Sequence, residues 1–356
     1  MAIVSSNPEN SVNTNGPLPA QWRSILEQSG AIFDQSGVSN FGEIETEASL
    51  ALSSDIITDL SHFGLIEVRG EDAQKFLSNL LTGDVKLVTS EKGIFTSWCD
   101  AKGRALATLW LFMYEGSYYI LLPQAILESV LSGLKRYLLR VKVSLSDASS
   151  TLLRIGVSGP GAGTRMAGLF ACEPARESGQ IIRVRECALI RVHGVPHPRW
   201  IVIGPVAELS SLWSEFAHSF HAVGSNAWSL LDILSGLPSI FTETAGEFIP
   251  QMLDLEALGG LCFTKGCYPG QEVIARLHYR GQLKRRVYSA FVNCESLPVP
   301  GTPLYGAGLT ESVGTVVSSA RYPDGSVAMQ VVVKIEEKDR PIHVANIEDH
   351  VLRFVD

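Results

Sequence analysis

The chain has 356 residues, of which 46% are hydrophobic and 19% charged, and its formal net charge is −8. This length allows two or three domains with cores of their own, and the acidic balance argues against a protein whose whole surface binds nucleic acid. The N-terminus carries no basic or apolar signal region, and the longest apolar run, residues 105–114, is short of the about 20 residues that cross a bilayer. Six scattered cysteines favour reduced thiols, so we expect a cytoplasmic protein without membrane contact.

Residues 1–44 form an N-terminal extension before the regular patterns begin. Residues 1–18 are rich in Ser, Asn and Pro, which predicts a disordered tail. Apolar residues at helical spacing then predict a helix over 20–33. The extension is therefore expected to be partly disordered.

The pattern over residues 45–148 predicts a first α+β lobe. Residues 63–70 alternate as a strand, and residues 71–84 carry apolar side chains at helical spacing after acids in the first turn. Two strands around a turn at 115–117 follow, and then an amphipathic helix over 124–139 and a closing strand.

A weaker copy of this unit follows over residues 149–262. The segment IGVSGPGAGTRMAGL resembles IEVRGEDAQKFLSNL of the first lobe, and strands and a helix over 206–220 come after it. The repetition predicts two similar lobes with a strand–helix–strand–strand–strand–helix order. Antiparallel hairpins packed with helices indicate an α+β fold rather than a doubly wound parallel sheet.

Residues 287–356 lack helical spacing and consist of short strands with Gly, Pro and Asp turns, which predicts a C-terminal β-barrel. The segment before it, 263–286, reads FTKGCYPGQEVIARLHYRGQLKRR. This segment lies at a junction between predicted domains, where ligand sites are common.

The 263–286 segment concentrates basic residues around one thiol, Cys267. Cations favour the thiolate, which is the reactive form, so Cys267 with Lys265 is a candidate reactive pair. The alternative is a Gly-Pro turn with a half-buried cysteine and a solvated basic strand. A metal site shared with Cys262 is not favoured, because no third or fourth ligand is clustered with the two thiols.

A second basic turn lies at Lys102, Gly103 and Arg104, between two predicted strands. Such a tip can hold a carboxylate or a phosphate, and the alternative is a plain solvated hairpin.

Residues 247–281 closely resemble the signature of the YgfZ family, the bacterial folate-binding proteins linked to iron–sulfur enzymes. The K-G-C-Y-x-G-Q-E core is matched at Lys265, Gly266, Cys267, Tyr268, Gly270, Gln271 and Glu272. The flanks PQML, ARLHYRG and KRR match too, as does the triplet at 102–104. The resemblance covers roughly residues 45–356 and implies reactive roles for Cys267 and Lys265. We expect the folate cofactor to be bound by Lys102, Arg104, Tyr268, Gln271, Glu272, Arg276 and Arg280.

The YgfZ family is similar in turn to the T-protein of glycine cleavage, an aminomethyltransferase that uses tetrahydrofolate. This implies a three-domain ring with tetrahydrofolate, in its polyglutamated form, in the central channel. It also implies a role in the assembly or maintenance of iron–sulfur enzymes, including a radical tRNA-modifying methylthiotransferase. Folate and these client enzymes are the partners that the resemblance implies.

Two departures argue against ordinary aminomethyl transfer. The T-protein aspartate that organises the amine aligns with Ala107 and Thr108, and its pterin-binding glutamate falls near 197–205, where no acid stands. The family also often has Asn where this chain has Asp254.

Three functions stay open. We favour a folate-binding accessory protein for iron–sulfur enzymes. The alternatives are a folate-dependent transferase or demethylase that lacks the usual aspartate, and a tRNA-binding module. The last would use a basic strand that has few aromatic residues for base stacking.

Overall fold

The computed structural model describes residues 18–35, 37–345 and 350–355. The tail that we predicted to be disordered lies, up to residue 17, outside the described residues. The first described elements are α1 (Ala20–Gln28), β1 (Ile32–Asp34), β2 (Gly37–Asn40), α2 (Ile44–Ser53) and β3 (Ile56–Asp59). A first unit then holds β4 (Phe63–Arg69), α3 (Ala73–Ser78), β5 (Ile94–Cys99), β6 (Ala105–Tyr114), β7 (Ser117–Pro123), α4 (Gln124–Lys135) and β8 (Ser144–Asp147).

A second unit follows the same order. It holds β9 (Leu152–Ser158), α5 (Ala162–Phe170), β10 (Ile181–Val184), β11 (Cys187–Val192), β12 (Arg199–Pro205), α6 (Val206–Phe216) and β13 (His221–Val223). The last part holds α7 (Ser225–Leu234), α8 (Gln271–Arg280), β14 (Arg285–Val292), β15 (Pro303–Gly306), β16 (Ser312–Arg321), β17 (Val327–Lys334), β18 (Ile342–Val344) and β19 (Arg353–Phe354).

The strand order of two sheets shows the internal repeat. The first sheet runs β5-β6-β7-β4-β8, and the second runs β10-β11-β12-β9-β3-β13. The two orders correspond strand by strand, except that β3 is inserted beside β9 in the second sheet. The mixed α+β class predicted from the sequence is confirmed. Because β3 pairs with β9, residues 56–59 belong to the second sheet. The residue boundaries of the two lobes stay a prediction.

The N-terminal extension packs on the second unit from residue 20 onward. Trp22 is fully buried, and its indole Nε1 donates a hydrogen bond to Asp59 Oδ1 at 2.9 Å. The Trp22 ring also meets the Trp213 ring edge to face, with centroids 5.3 Å apart. The helix predicted over 20–33 ends at Gln28, just before Gly30 with φ of +90°.

The C-terminal part is a curled sheet of six strands in the order β18-β15-β16-β17-β14-β19. The predicted β-barrel is therefore a half-barrel in the described residues. Its last residues link the two edges, because Leu352 N donates to Ile342 O at 2.8 Å and Phe354 pairs with Ala290. None of the helices in the described part of the chain is long and apolar enough to span a bilayer.

Candidate functional site

The signature turn leads into a helix rather than a basic strand. Gly270, with φ of +78°, precedes α8, which carries Glu272 in its first turn and His278 and Arg280 in its last. Acids near the N-terminus and bases near the C-terminus suit the helix dipole. Our alternative interpretation of this stretch as a solvated strand is wrong for residues 271–280. Ile274 anchors the helix, because it is fully buried.

Two glycines join the signature turn to the basic hairpin. A Cβ placed on Gly270 would lie 2.3 Å from the Cα of Gly103 and 2.7 Å from the carbonyl oxygen of Asp100. The hairpin itself is fixed by Asp100, whose Oδ1 accepts from the backbone N–H of Lys102 at 2.8 Å and of Arg104 at 2.9 Å. The two basic segments that the sequence singled out are therefore packed against each other.

Lys265 ties the signature turn to the end of α3. Its ammonium donates to the carbonyl oxygens of Ser78 at 2.8 Å, of Gly83 at 2.9 Å and of Leu81. It also lies 4.9 Å from the centre of the Tyr268 ring. Burial lowers the pKa of Lys265 to about 8, while the three carbonyl dipoles favour the charged form. These bonds use all three N–H donors of an ammonium group, so Lys265 has a clear structural role. Its action on a thiol stays a prediction.

Cys267 is the exposed one of the six cysteines, all of which lie within the described residues. Burial raises the pKa of the Cys99 and Cys187 thiols to about 12, which makes them inert. Cys262 is half-buried, and its Sγ lies 3.5 Å from Thr264 Oγ1. Cys267 is thus the thiol that a solute can reach most readily. In residues 18–35, 37–345 and 350–355, no three His, Cys, Asp or Glu side chains are grouped as metal ligands.

The other signature residues divide between core and surface. Tyr268 is buried, and its hydroxyl has no hydrogen-bond partner among the described residues. Burial raises the pKa of Tyr268. Gln271 is half-buried and Glu272 is exposed, both in the first turn of α8. Outside the core motif, Gln251 Nε2 donates to Ile274 O at 2.7 Å and so binds the PQML segment to α8.

The arginines of the 263–286 segment differ in whether they form an ion pair. Arg286 forms an ion pair with Asp254, with Nη2 and Oδ2 2.7 Å apart, and this hydrogen bond raises the pKa of Arg286. Arg276 and Arg280 are exposed on α8 and have no ion pair within the described residues. Arg104, on the hairpin, donates to Gly246 O at 3.2 Å. Arg276 and Arg280 are therefore the side chains of α8 that can receive an anion.

The positions of the missing T-protein acids are occupied in other ways. Ala107 is fully buried, and Thr108 Oγ1 donates to Pro238 O at 2.8 Å and accepts from Ile240 N at 3.2 Å. Neither side chain can act as a base. In the 197–205 stretch, the fully buried Arg199 pairs with Asp232 of α7 at 2.8 Å. Burial raises the pKa of Asp232, and the Arg199 guanidinium opposes that shift.

A cavity that the sequence did not reveal lies beside this pair. It has a volume of about 420 Å³ and lies where the first unit, α7 and the curled sheet meet. We call it the inter-lobe cavity. Its described lining includes Phe63, Gln124, Ser229, Asp232, Phe241 and Ser318, and no residue of the 263–286 segment. Pro269 of the signature turn lines a separate surface cavity of about 410 Å³ with Lys75 and Arg140.

Comparison with known proteins gives consistent matches. The family model described as the GCVT N-terminal domain matches residues 20–204. The chain is 32% identical to a protein named tRNA-modifying protein YgfZ from Escherichia fergusonii over 289 residues, which cover 80% of this chain and 87% of that protein. A protein of the same name from Escherichia coli is 30% identical over 310 residues, with 86% and 94% covered.

One solved structure matches nearly the whole chain. The glycine cleavage system aminomethyltransferase T from Bartonella henselae superposes with a TM-score of 0.74 at 17% identity, and the match covers 94% of this chain and 95% of that one. At this identity the likeness concerns the fold alone.

We expect Lys265→Met to lower the free energy of unfolding by about 2 kcal/mol or more, because it leaves buried carbonyls without donors. Urea denaturation measures the change. Lys284→Met, at an exposed lysine of the same segment, is the control and should change stability little. Equal effects of the two substitutions would contradict the role assigned to Lys265.

We expect Gly270→Ala to destabilise the protein by about 2–4 kcal/mol, because it adds backbone strain at positive φ to a clash with Gly103. Gly266→Ala is the matched control, since no heavy atom lies within 4 Å of a Cβ built there. The same urea experiment compares them. If Gly270→Ala is as stable as Gly266→Ala, the close packing of turn and hairpin is not required for folding.

Proposed function

The chain belongs to the YgfZ family of tRNA-modifying proteins, and on that premise we propose that it is a tetrahydrofolate-binding accessory protein. In this proposal it supports tRNA modification in the cytoplasm through the assembly or maintenance of iron–sulfur enzymes. The observation that carries the proposal is the packing of Gly270 on Gly103. This contact packs the hairpin of Lys102 and Arg104 against the turn that carries the exposed Cys267 and leads into α8, the helix of the unpaired Arg276 and Arg280.

The charges around the turn fit a folate with a polyglutamate tail. Arg276 and Arg280 have no ion pair within the described residues, and Lys102 lies on the hairpin packed against Gly270. Guanidinium groups bind carboxylates with two parallel hydrogen bonds, so these cations suit the tail. The bound tetrahydrofolate supplies one-carbon or reducing chemistry. The residues of the chain hold the ligand and present a thiol beside it.

Two features speak against aminomethyl transfer by this chain. Ala107 has no base, and the Thr108 hydroxyl is committed to two backbone groups. General base catalysis needs a titratable group within hydrogen-bond reach of the reacting nitrogen. We therefore propose that folate binding here serves the client enzymes rather than a transfer reaction of the glycine cleavage type.

Cys267 is the residue that we propose to act on the client or on its cluster. We expect Cys267→Ala to abolish complementation of a deletion strain, with iron–sulfur enzyme activities as the readout. Its melting temperature should stay close to that of the parent protein, because an exposed side chain removes little buried surface. Iodoacetamide labelling followed by mass spectrometry should also modify Cys267 before the other thiols. Cys172→Ala, at a half-buried cysteine, is the control and should complement. A Cys267→Ala protein that complements fully would refute the role.

The tail site is tested by the number of glutamates. Affinity for tetrahydrofolate should rise by roughly fivefold for each added carboxylate at low salt, and the gain should shrink as salt screens the exposed arginines. The double substitution Arg276→Gln and Arg280→Gln should remove this gain, as measured by isothermal titration calorimetry. Arg176→Gln, at an exposed arginine paired with Glu173, should leave it intact. Equal binding of mono- and triglutamyl forms by the parent protein would exclude the α8 arginines as the tail site.

A further inference from the structure

The surface cavity at Pro269 lies where the signature turn meets α3 and the loop between α4 and β8. It shares no described lining residue with the inter-lobe cavity. We call it the turn cavity. Its volume of about 410 Å³ falls within the about 300–1,000 Å³ that small-molecule sites occupy. The turn cavity is therefore a second place in the molecule that can hold a small ligand.

Contacts within the chain hold the sides of the turn cavity together. The backbone N–H of Lys142, in the loop after α4, donates to Asp72 Oδ2 at 2.8 Å. A Cβ placed on Gly70 would clash with the carbonyl oxygen of Lys142, so this loop packs directly on the segment before α3. On the other side, the ammonium of Lys265 joins the signature turn to Ser78 O, at the end of α3. The cavity is therefore formed before any ligand binds.

The lining of the turn cavity combines two cations with one acid. Lys75 and Arg140 line it, are exposed, and have no ion pair among the described residues. Asp72 also lines it and is half-buried. One oxygen of the Asp72 carboxylate accepts from the backbone of Lys142, and an ionised carboxylate has further lone pairs for a ligand.

This combination of charges favours a ligand that carries an amine and a larger number of carboxylates. Its carboxylates can bind Lys75 and Arg140, and its amine can bind Asp72. A polyphosphate or an RNA backbone has no cationic group for Asp72 and fits less well. The floor is apolar, since Phe76 and Leu80 line the cavity and are buried, and it suits aliphatic groups. A short acidic peptide with a free amine has all of these features.

Cys267 lies within reach of a ligand in the turn cavity. Pro269 lines the cavity, and Cys267 precedes it by two residues, which span at most about 7 Å of extended chain. Cys267 is also the exposed cysteine. An accessible thiol exchanges with disulfides through its thiolate form. A bound peptide that contains a disulfide can therefore present a sulfur atom to Cys267.

We propose that the turn cavity binds an acidic peptide thiol in its disulfide form and holds it beside Cys267. This inference rests on the proposed function, in which Cys267 is the reacting thiol. The Cys267 thiolate attacks one sulfur of the bound disulfide, and a new S–S bond joins Cys267 to one half of the ligand. The other half leaves as a thiolate and takes up the proton that Cys267 lost. Cys267 is oxidised and the leaving half is reduced, so the exchange needs no further reagent.

The test uses the full chain with two disulfide probes. Glutathione disulfide is the acidic peptide probe, and hydroxyethyl disulfide is an uncharged one. Intact-protein mass spectrometry with peptide mapping follows the mixed disulfide at Cys267 and gives a rate constant for each probe. The intrinsic reactivity of the thiol cancels in the ratio of the two rate constants, so the ratio reports recognition of the charged peptide.

The double substitution Lys75→Gln and Arg140→Gln should lower this ratio about tenfold at low salt, because the cations that attract the carboxylates are lost. In the parent protein, added salt should lower the ratio as well. Lys135→Gln with Arg136→Gln is the matched control. It removes the same charge from exposed residues at the end of α4, outside the described lining of the cavity, and should change the ratio by less than about twofold. Circular dichroism confirms that each variant is folded.

The outcomes separate the inference from the proposed function. If the folded Lys75→Gln and Arg140→Gln protein keeps the parent ratio, or if both double variants lower the ratio equally, the inference is overturned. Should Cys267→Ala still fail to complement in that case, the proposed function stands without the turn cavity. If only the cavity variant lowers the ratio, the inference is upheld. Full complementation by Cys267→Ala would then remove the proposed role of the thiol and leave the binding site in place.

Discussion

The site depends on one steric constraint, the direct backbone contact between Gly103 and Gly270. A Cβ on Gly270 would lie 2.3 Å from Gly103 Cα, and one on Gly103 would lie 3.2 Å from Gly270 O, so the hairpin and the start of α8 form one closely packed unit. Lys265 and Gln251 fix the two sides of this unit, through carbonyls after α3 and through Ile274 O. The thiol of Cys267 is thus presented on a turn that is held from both sides. Such external support is what positions a reactive group without restricting access to it.

The basic segment divides its charges between structure and surface. Lys265 and Arg286 are paired within the chain, with carbonyls and with Asp254, whereas Arg276 and Arg280 have no ion pair among the described residues. In the sequence all of these residues have equal weight, because charges can be counted from the letters and their partners cannot. The unpaired arginines therefore carry the electrostatic argument for an anionic tail, and Lys265 contributes to the stability of the turn.

The sequence predicted what local patterns encode and missed what distant contacts decide. The repeated unit, the C-terminal strands and the signature turn all have local signals, and each is found. Helix α8 was difficult to predict because its charged residues conceal the few apolar ones, such as Ile274. The insertion of β3 beside β9 depends on pairing across nearly a hundred residues of chain, which no window of sequence contains. Asp232 has no local signal in the sequence, because its ion pair with Arg199 and its place in the cavity wall depend on distant contacts.

The inter-lobe cavity and the basic hairpin are close to each other along the chain and hold their charges differently. Glu243 lines the inter-lobe cavity, and Gly246, three residues later, accepts a hydrogen bond from Arg104 of the basic hairpin. Arg199 is fully buried, so protonating Asp232 would leave an uncompensated cation in the interior, and the pair therefore favours the carboxylate. The charge of Asp232 is thus balanced inside the fold, whereas Arg276 and Arg280 of α8 face solvent without an ion pair among the described residues.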